Sequence, residues 1–314
     1  MSDLLKNIDA RTKLAGTNKL EILMFTLGLD NRTGRQETYG INVFKVREVM
    51  RIPQITRAPE MPESVEGMVS LRGVLVPVID LAKYAGIQTD DKAGIMIVTE
   101  YNGHTQGFLV KAVDNILRLD WSSMRVPPAM LVAELGGLVT AITELKDGRL
   151  VMMMDVEKVL AETARFGTDD MIFKAVRNIG KDNRTVFFAD DSTVARHQIQ
   201  RTLDAMGVKS IAAINGRQAW LELSKLAEYA DSSHTPLKDL VQVILTDVEM
   251  PEMDGYMLTR KIKADKRFNG IPVLMHSSLS SSSNQQLGKT VGVDEYVPKF
   301  EPQRLAETLT RLLA

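Results

Sequence analysis

Four short apolar runs, at 186–189, 241–245, 273–275 and 296–297, each lead into polar residues, and segments of helical periodicity lie between them. Runs that are apolar on both faces suit strands covered on both sides, as in a parallel sheet flanked by helices. The polar residues are the adjacent acids Asp190 and Asp191, then Asp247, Ser277 and Lys299. In an open parallel α/β sheet the carboxyl ends of the strands line the ligand crevice, so the sequence predicts that all five share one cleft. Three carboxylates there repel one another unless a cation is held among them, and Lys299 alone does not balance them. A divalent metal is implied. Magnesium suits such a cluster, because it takes an octahedral shell of oxygens from one or two carboxylates plus waters and leaves positions for phosphate.

Asp247 is followed by Val248-Glu249-Met250-Pro251 and then Met253-Asp254-Gly255, where Pro and Gly stop the strand and begin a turn. Its carboxylate is thus placed on a loop, where it can attack a phosphoryl donor and become an aspartyl-phosphate. Metal, lysine and hydroxyl would stabilise the charge on the transferring oxygens. These segments, with Ala189-Asp190-Asp191-Ser192, Ser277-Ser278 and Tyr296-Val297-Pro298-Lys299, resemble the receiver domain of response regulators over residues 183–314. The resemblance implies that Asp247 is the phosphoacceptor, that Asp191 ligates the metal directly and Asp190 through water, and that the backbone carbonyl of Glu249 joins them. It further implies that Ser277 bonds the phosphoryl group, that Lys299 pairs with it, and that Tyr296 repacks when Ser277 moves.

Three departures stand out. Lys299 is followed by Phe300 where the pattern has a proline after a cis peptide, and a cis non-proline bond costs about 2.5–4 kcal/mol. The Lys299 loop is therefore expected to be trans or strained. Residues 225–240 exceed what a compact receiver needs, and 231–236 read as a surface loop. The serines at 277, 278 and 280–283 blur which hydroxyl faces the phosphate, and the strand end favours Ser277. Taken singly, each residue also has an ordinary explanation. Asp190 and Asp191 suit a helix N-terminus capped by Ser192, and Lys299 alone reads as a solvated surface lysine. The order of all five carries the reading.

Residues 1–165 hold twenty bases and twenty-one acids, and residues 166–314 hold nineteen of each. Neither half has the basic excess that nucleic-acid binding requires, and the four histidines show no zinc spacing. With no cysteine there is no disulfide framework. The start carries no leader-like pattern and no apolar run reaches membrane-spanning length, so a soluble cytoplasmic protein is expected.

Residues from about 19 to 160 read as all-β, with strands at 20–27, 39–43, 75–79, 94–101, 106–110, 138–143 and 150–154. Asn102-Gly103 and Asp147-Gly148 are hairpin turns. Leu75-Val76 leads to Asp80-Leu81 as Leu150-Val151 leads to Asp155-Val156, an echo that suggests two similar small barrels. No phosphate-cradling loop or nucleophile with a base stands out. Leu20-Glu21-Ile22-Leu23-Met24-Phe25, Gly40-Ile41-Asn42-Val43, Lys45-Val46-Arg47-Glu48-Val49, Leu71-Arg72-Gly73, Pro77-Val78-Ile79-Asp80-Leu81 and Asp155-Val156-Glu157-Lys158 resemble the coupling domain of the CheW family, over residues 14–165. That family implies two SH3-like β-barrels that bind chemoreceptor cytoplasmic tips and a histidine kinase, with Val46, Glu48 and Arg72 as contact candidates. Their ordinary reading is core for Val46 and a surface pair for the other two.

Between the halves, residues 166–182 form a linker in which Met171, Ile172, Ala175, Val176 and Ile179 make one apolar helical stripe. The whole resembles a CheV-type chemotaxis coupling protein. This implies an adaptor at cytoplasmic receptor arrays, not an enzyme, in which the receiver takes phosphate onto itself and can release it. One rival is a receiver that drains phosphate from the kinase without altering coupling. Another is an aspartyl-phosphate phosphohydrolase, which would need an acid two residues past the nucleophile, where Glu249 stands, and a nucleophile after the first strand.

Overall fold

A computed structural model describes residues 19–57, 59–101, 104–130, 136–163, 173, 176, 178–179, 183–278 and 288–313. Two compact units emerge, one of Leu20–Leu119 with Met124–Ala164, the other of Arg165–Ala314 with the short segment Asp120–Ser123.

The first unit contains two five-stranded sheets. One has the order β8-β1-β2-β10-β9, with β1 Lys19–Thr26, β2 Thr38–Asn42, β8 Ala112–Asp120, β9 Val139–Glu144 and β10 Leu150–Met154. The other runs β3-β6-β7-β5-β4, with β3 Val46–Arg51, β4 Val65–Leu71, β5 Val74–Asp80, β6 Ile95–Tyr101 and β7 His104–Val110. Each sheet has one parallel pair, β2 with β10 and β5 with β7, flanked by antiparallel hairpins. The echo read from the sequence is thus a structural repeat. Asp80 caps helix α1 (Leu81–Tyr84) by accepting from the N–H groups of Ala82 and Lys83, and Asp155 accepts from Lys158 N–H at the start of α2 (Val156–Thr163). The second sheet takes its strands in one consecutive stretch. The first closes only when the N-terminal hairpin β1–β2 meets β10, so one sheet is a circular permutation of the other.

The segment that follows β3 is joined to β4 as well. Thr56 and Met68 exchange backbone hydrogen bonds of 2.9 and 2.8 Å, and Arg72 Nη2 lies 3.1 Å from Glu48 Oε2, so the sheet curls into an SH3-like barrel. Strands β3, β4 and β8 go beyond the sequence reading. Asp147-Gly148 lies in the expected turn, with Gly148 at φ 82°. Asn102-Gly103 falls outside the described residues, and Tyr101 pairs with His104 across it.

The second unit is a parallel sheet of order β12-β11-β13-β14-β15, built from β11 Thr185–Ala189, β12 Lys209–Ala213, β13 Val243–Thr246, β14 Val273–Ser277 and β15 Glu295–Pro298. The edge strand β12, half-exposed and polar at its start, was not read from sequence. Helices α3 (Thr193–Met206) and α7 (Pro302–Leu312) cover one face through Ile199, Leu203, Leu305 and Leu309. On the other face lie α4 (Gly216–Ser233) and α6 (Gly255–Ala264), through Leu223, Ala227, Leu258 and Ile262. The order steps from β11 to β12 on one side and to β13 on the other, which opens a crevice beyond β11 and β13.

Two expectations are corrected here. Residues 231–236 are not simply a loop: the Leu, Glu, Lys and Ala content carries α4 to Ser233, where His234 at φ 57° ends it, before the short α5 (Leu237–Leu240). Val46 is 8% exposed, so its apolar side chain serves the interior and presents little to a partner. In the linker, Met171, Ile172 and Ala175 fall outside the described residues, while Phe173, Val176 and Ile179 pack on the second unit. Phe173 is buried beneath the Arg201 guanidinium, 4.1 Å from its ring centre, and Val176 joins Ile199, Leu203 and Met206.

Candidate functional site

Asp190 and Asp191 follow β11, and Asp247 follows β13. The strands run in step, Ala189 opposite Thr246, and Asp247 N–H donates to Ala189 O at 2.8 Å. The carboxylates of Asp190, Asp191 and Asp247 each place an oxygen within 4.8 Å of the others. Asp190 and Asp247 are buried and Asp191 is half-buried. Asp190 Oδ1 accepts from Ser192 N–H at 2.9 Å, and Asp247 Oδ1 from Val248 N–H at 2.7 Å. Their Oδ2 atoms both lie 3.0 Å from Lys299 Nζ, itself 2% exposed. One ammonium among three carboxylates leaves a negative balance, and this oxygen-only set fits a hard divalent cation such as Mg²⁺.

Packing fixes the loop that carries Asp247. A Cβ on Gly255 would lie 1.9 Å from Asp247 O, so only glycine lets α6 approach this closely. Asp254 caps α6, accepting from Met257 N–H at 2.6 Å. Burial lifts its pKa to about 6, against the opposing pull of the Met257 N–H, Arg260 and the Tyr256 N–H. The folded protein thus holds this proton more tightly than the unfolded chain. The resulting stability is complete below the unfolded pKa near 4 and is lost as pH rises through about 6. Relative to Asp254→Asn, the wild-type unit is expected to lose roughly 3 kcal/mol between pH 4 and 7 in urea unfolding. Matching pH profiles for the two proteins would show a solvated carboxyl instead.

Ser277 ends β14, 1% exposed, and its carbonyl accepts from Lys299 N–H at 3.2 Å. The Tyr296 phenol, pushed up to about 12 mainly by burial, lies near the hydroxyls of Ser277 and Tyr256 without a well-aligned bond to either. Burial also raises Tyr256, which packs with Val248, Met275 and Val291. Glu249 is buried beside these groups. Asp190, Asp191, Asp247 and Lys299 are thus brought together, and Ser277, Tyr296 and Glu249 lie in their neighbourhood. No cis peptide occurs among the described residues, and Phe300 adopts φ 62°. The Lys299 loop is thus trans, the first of the two expected alternatives, and the left-handed backbone of Phe300, at a cost of about 1–2 kcal/mol, was not foreseen. Serines 280–283 lie outside the described residues.

Two participants were missed. Arg196 Nη1 donates to the carbonyls of Asp190 and Asp191 at 2.9 and 2.8 Å, and its place in the first turn of the helix after the acids was the available signal. Tyr256 follows Asp254-Gly255, and nothing in the sequence linked it to Tyr296.

In the first unit, Arg72 and Gly73 occupy the two-residue turn between β4 and β5 at φ 52° and 82°, a geometry that favours Asn-Gly. The Arg72 side chain is 72% exposed and reaches Glu48 across the barrel seam. Among the described residues, no helix is long and apolar enough to cross a membrane.

The CheW-like domain model matches residues 21–164, and the response regulator receiver domain model matches residues 186–310. The chain is 30% identical to chemotaxis protein CheV3 of Helicobacter pylori over 310 residues, covering 94% of this chain and 95% of the relative. Chemotaxis protein CheV1 of the same organism is 28% identical, over 100% of this chain and 99% of its own length. Chemotaxis protein CheW of Klebsiella aerogenes is 34% identical over 154 residues, 48% of this chain and 87% of the relative. With both domains in this order and the match running nearly end to end, the chain belongs to the CheV family of chemotaxis proteins.

Proposed function

We propose that this protein couples chemoreceptors to a histidine kinase through its CheW-like domain, and that phosphorylation of Asp247 regulates the coupling. The observation that carries the regulatory half is the buried Asp247 carboxylate, bonded to Val248 N–H and Lys299 amid two further acids. In this reading Asp190, Asp191, Asp247 and the Glu249 carbonyl hold Mg²⁺, which supplies charge neutralisation for the incoming phosphoryl group. Asp247 attacks phosphorus, the bond to the donor breaks, and the donor leaves with its electron pair. Lys299 and Ser277 then hold phosphoryl oxygens. A Ser277 drawn inward frees its neighbour Tyr296 to repack.

The docked linker residues lie with α3 and α7, whereas Tyr296 packs with Val248, Tyr256 and Met275. A signal leaving through Tyr296 therefore reaches a different face of the unit from the one that holds the linker. In the other half, Arg72 in a turn that favours Asn-Gly and its neighbour Glu48 support a contact role for the β4–β5 hairpin.

The test measures receptor-tip and kinase affinity with and without beryllium fluoride, a phosphoryl mimic, in wild type, Arg72→Ala and Ser277→Ala. A two-state coupling of about 1–3 kcal/mol is expected in wild type and a smaller one in Ser277→Ala. Arg72→Ala is expected to weaken binding by upward of about 1 kcal/mol in both states. Equal affinities with and without the mimic would leave a phosphate sink. Unchanged affinities in Arg72→Ala would return Arg72 to the surface.

A further inference from the structure

The loop between β11 and α3 carries two of the three acids, yet the strand ends at Ala189 and the helix begins at Thr193. The carboxylate of Asp190 is tied to Ser192 N–H and Lys299. The two acids' own main-chain carbonyls share a side-chain donor. Arg196 Nη1 spans the carbonyls of Asp190 and Asp191 at 2.9 and 2.8 Å, using its two N–H groups. A guanidinium in the first turns of a helix opposes the dipole preference for anions there, and it adds a cation beside a candidate cation site. What it gains is two charge-assisted hydrogen bonds to adjacent carbonyls. Turning both carbonyls toward Arg196 restricts the peptides on either side of Asp191, and with them the direction in which its carboxylate leaves the chain.

We propose that Arg196 is a positioning residue for the acidic pair, holding the β11–α3 loop so that Asp191 faces the other two carboxylates before any metal arrives. The inference rests on reading the cluster as a divalent-cation site. A cation that acted only through its charge would weaken Mg²⁺ binding, and its removal would tighten it. A cation that positions ligands does the opposite when removed, and outer-sphere partners of metal ligands typically account for about 10–100-fold in affinity.

The experiment uses the full chain as wild type, Arg196→Ala and Arg196→Lys, with three readouts. Calorimetric titration with MgCl₂ gives the affinity, amide hydrogen exchange at Asp190 and Ser192 in metal-free protein gives loop order, and intact mass after acetyl phosphate gives phosphate uptake. Arg196→Ala is expected to raise the Mg²⁺ Kd about tenfold or more, to speed exchange at both amides, and to slow uptake in a way that excess Mg²⁺ recovers. Arg196→Lys, whose ammonium can donate to both carbonyls, is expected to restore most of each effect. Unchanged or tighter Mg²⁺ binding in Arg196→Ala would overturn the proposal. If Arg196→Ala fails to fold, a Kd and exchange rates of Arg196→Lys that match those of an Arg196→Met variant, which has no donor, would overturn it too. If wild type binds no Mg²⁺, the reading of the cluster fails, and the exchange rates still decide whether Arg196 orders the loop.

Discussion

Asp247→Asn is expected to abolish phosphate uptake from acetyl phosphate and from a phosphohistidyl kinase, with intact mass showing no 80 Da (about one phosphoryl group) increment. The cause is chemical. A carboxamide oxygen carries no charge to attack with, and the substitution also takes one carboxylate from the acidic trio. Because Asp247 Oδ1 already accepts from Val248 N–H, the asparagine oxygen can keep that bond and the fold with it. A variant that folds but cannot be labelled is therefore the expected outcome. Label retained at wild-type yield and mapped to Asp191 or Glu249 would show that the nucleophile has been misassigned.

Lys299→Met is expected to have the largest effect on stability. Lys299 Nζ sits 3.0 Å from both Asp190 and Asp247 and is 2% exposed, so the substitution leaves two buried carboxylates facing a third without their cation. Breaking a buried pair from one side costs about 3–5 kcal/mol, and methionine keeps most of the apolar stem. Urea unfolding without metal should show this loss near neutral pH, and millimolar Mg²⁺ should recover much of it by substituting for the lost charge. The same variant should bind Mg²⁺ more tightly than wild type, the opposite sign to Arg196→Ala, because Lys299 contacts carboxylates and Arg196 contacts carbonyls. A loss below about 1 kcal/mol in metal-free buffer would mean that the pair behaves as a solvated one.

The five cleft residues were legible because a buried parallel sheet forces two signals into the sequence at once, an apolar run and a chemical residue at its carboxyl end. The edge strand β12 broke that rule. It is exposed on one side, so Lys209 and Ser210 diluted the run. Strand β8 hid for a similar reason, being exposed or half-exposed along its length. Val46 shows a different limit: a valine beside Glu48 has the same identity whether it faces a partner or the interior, and only the pleat of β3 decides. Arg196 and Phe300 show a third. A side chain that bonds main-chain carbonyls, or a residue held at positive φ, depends on backbone directions that residue type does not encode. Gly255 is the instructive exception, because its close approach to Asp247 demands a residue without Cβ and the sequence displays one.

The permuted sheet of the first unit has a consequence for how the chain is made. As the ribosome proceeds, the β1–β2 hairpin emerges first, yet the edge of β2 that will receive β10 stays open until Val151–Met153 has been synthesised. From Asn42 to Met153 is 111 residues, on the order of ten seconds at about 5–20 residues per second. In that interval the strands β3 to β7 can complete the other barrel by themselves, because their stretch is uninterrupted. The nascent hairpin meanwhile exposes Ile22, Leu23, Met24 and Phe25, residues that end almost wholly buried. Its open edge is the surface on which another chain could pair, so translation speed and holding chaperones bear most heavily on the β1–β2 hairpin and least on the barrel enclosed between it and β8.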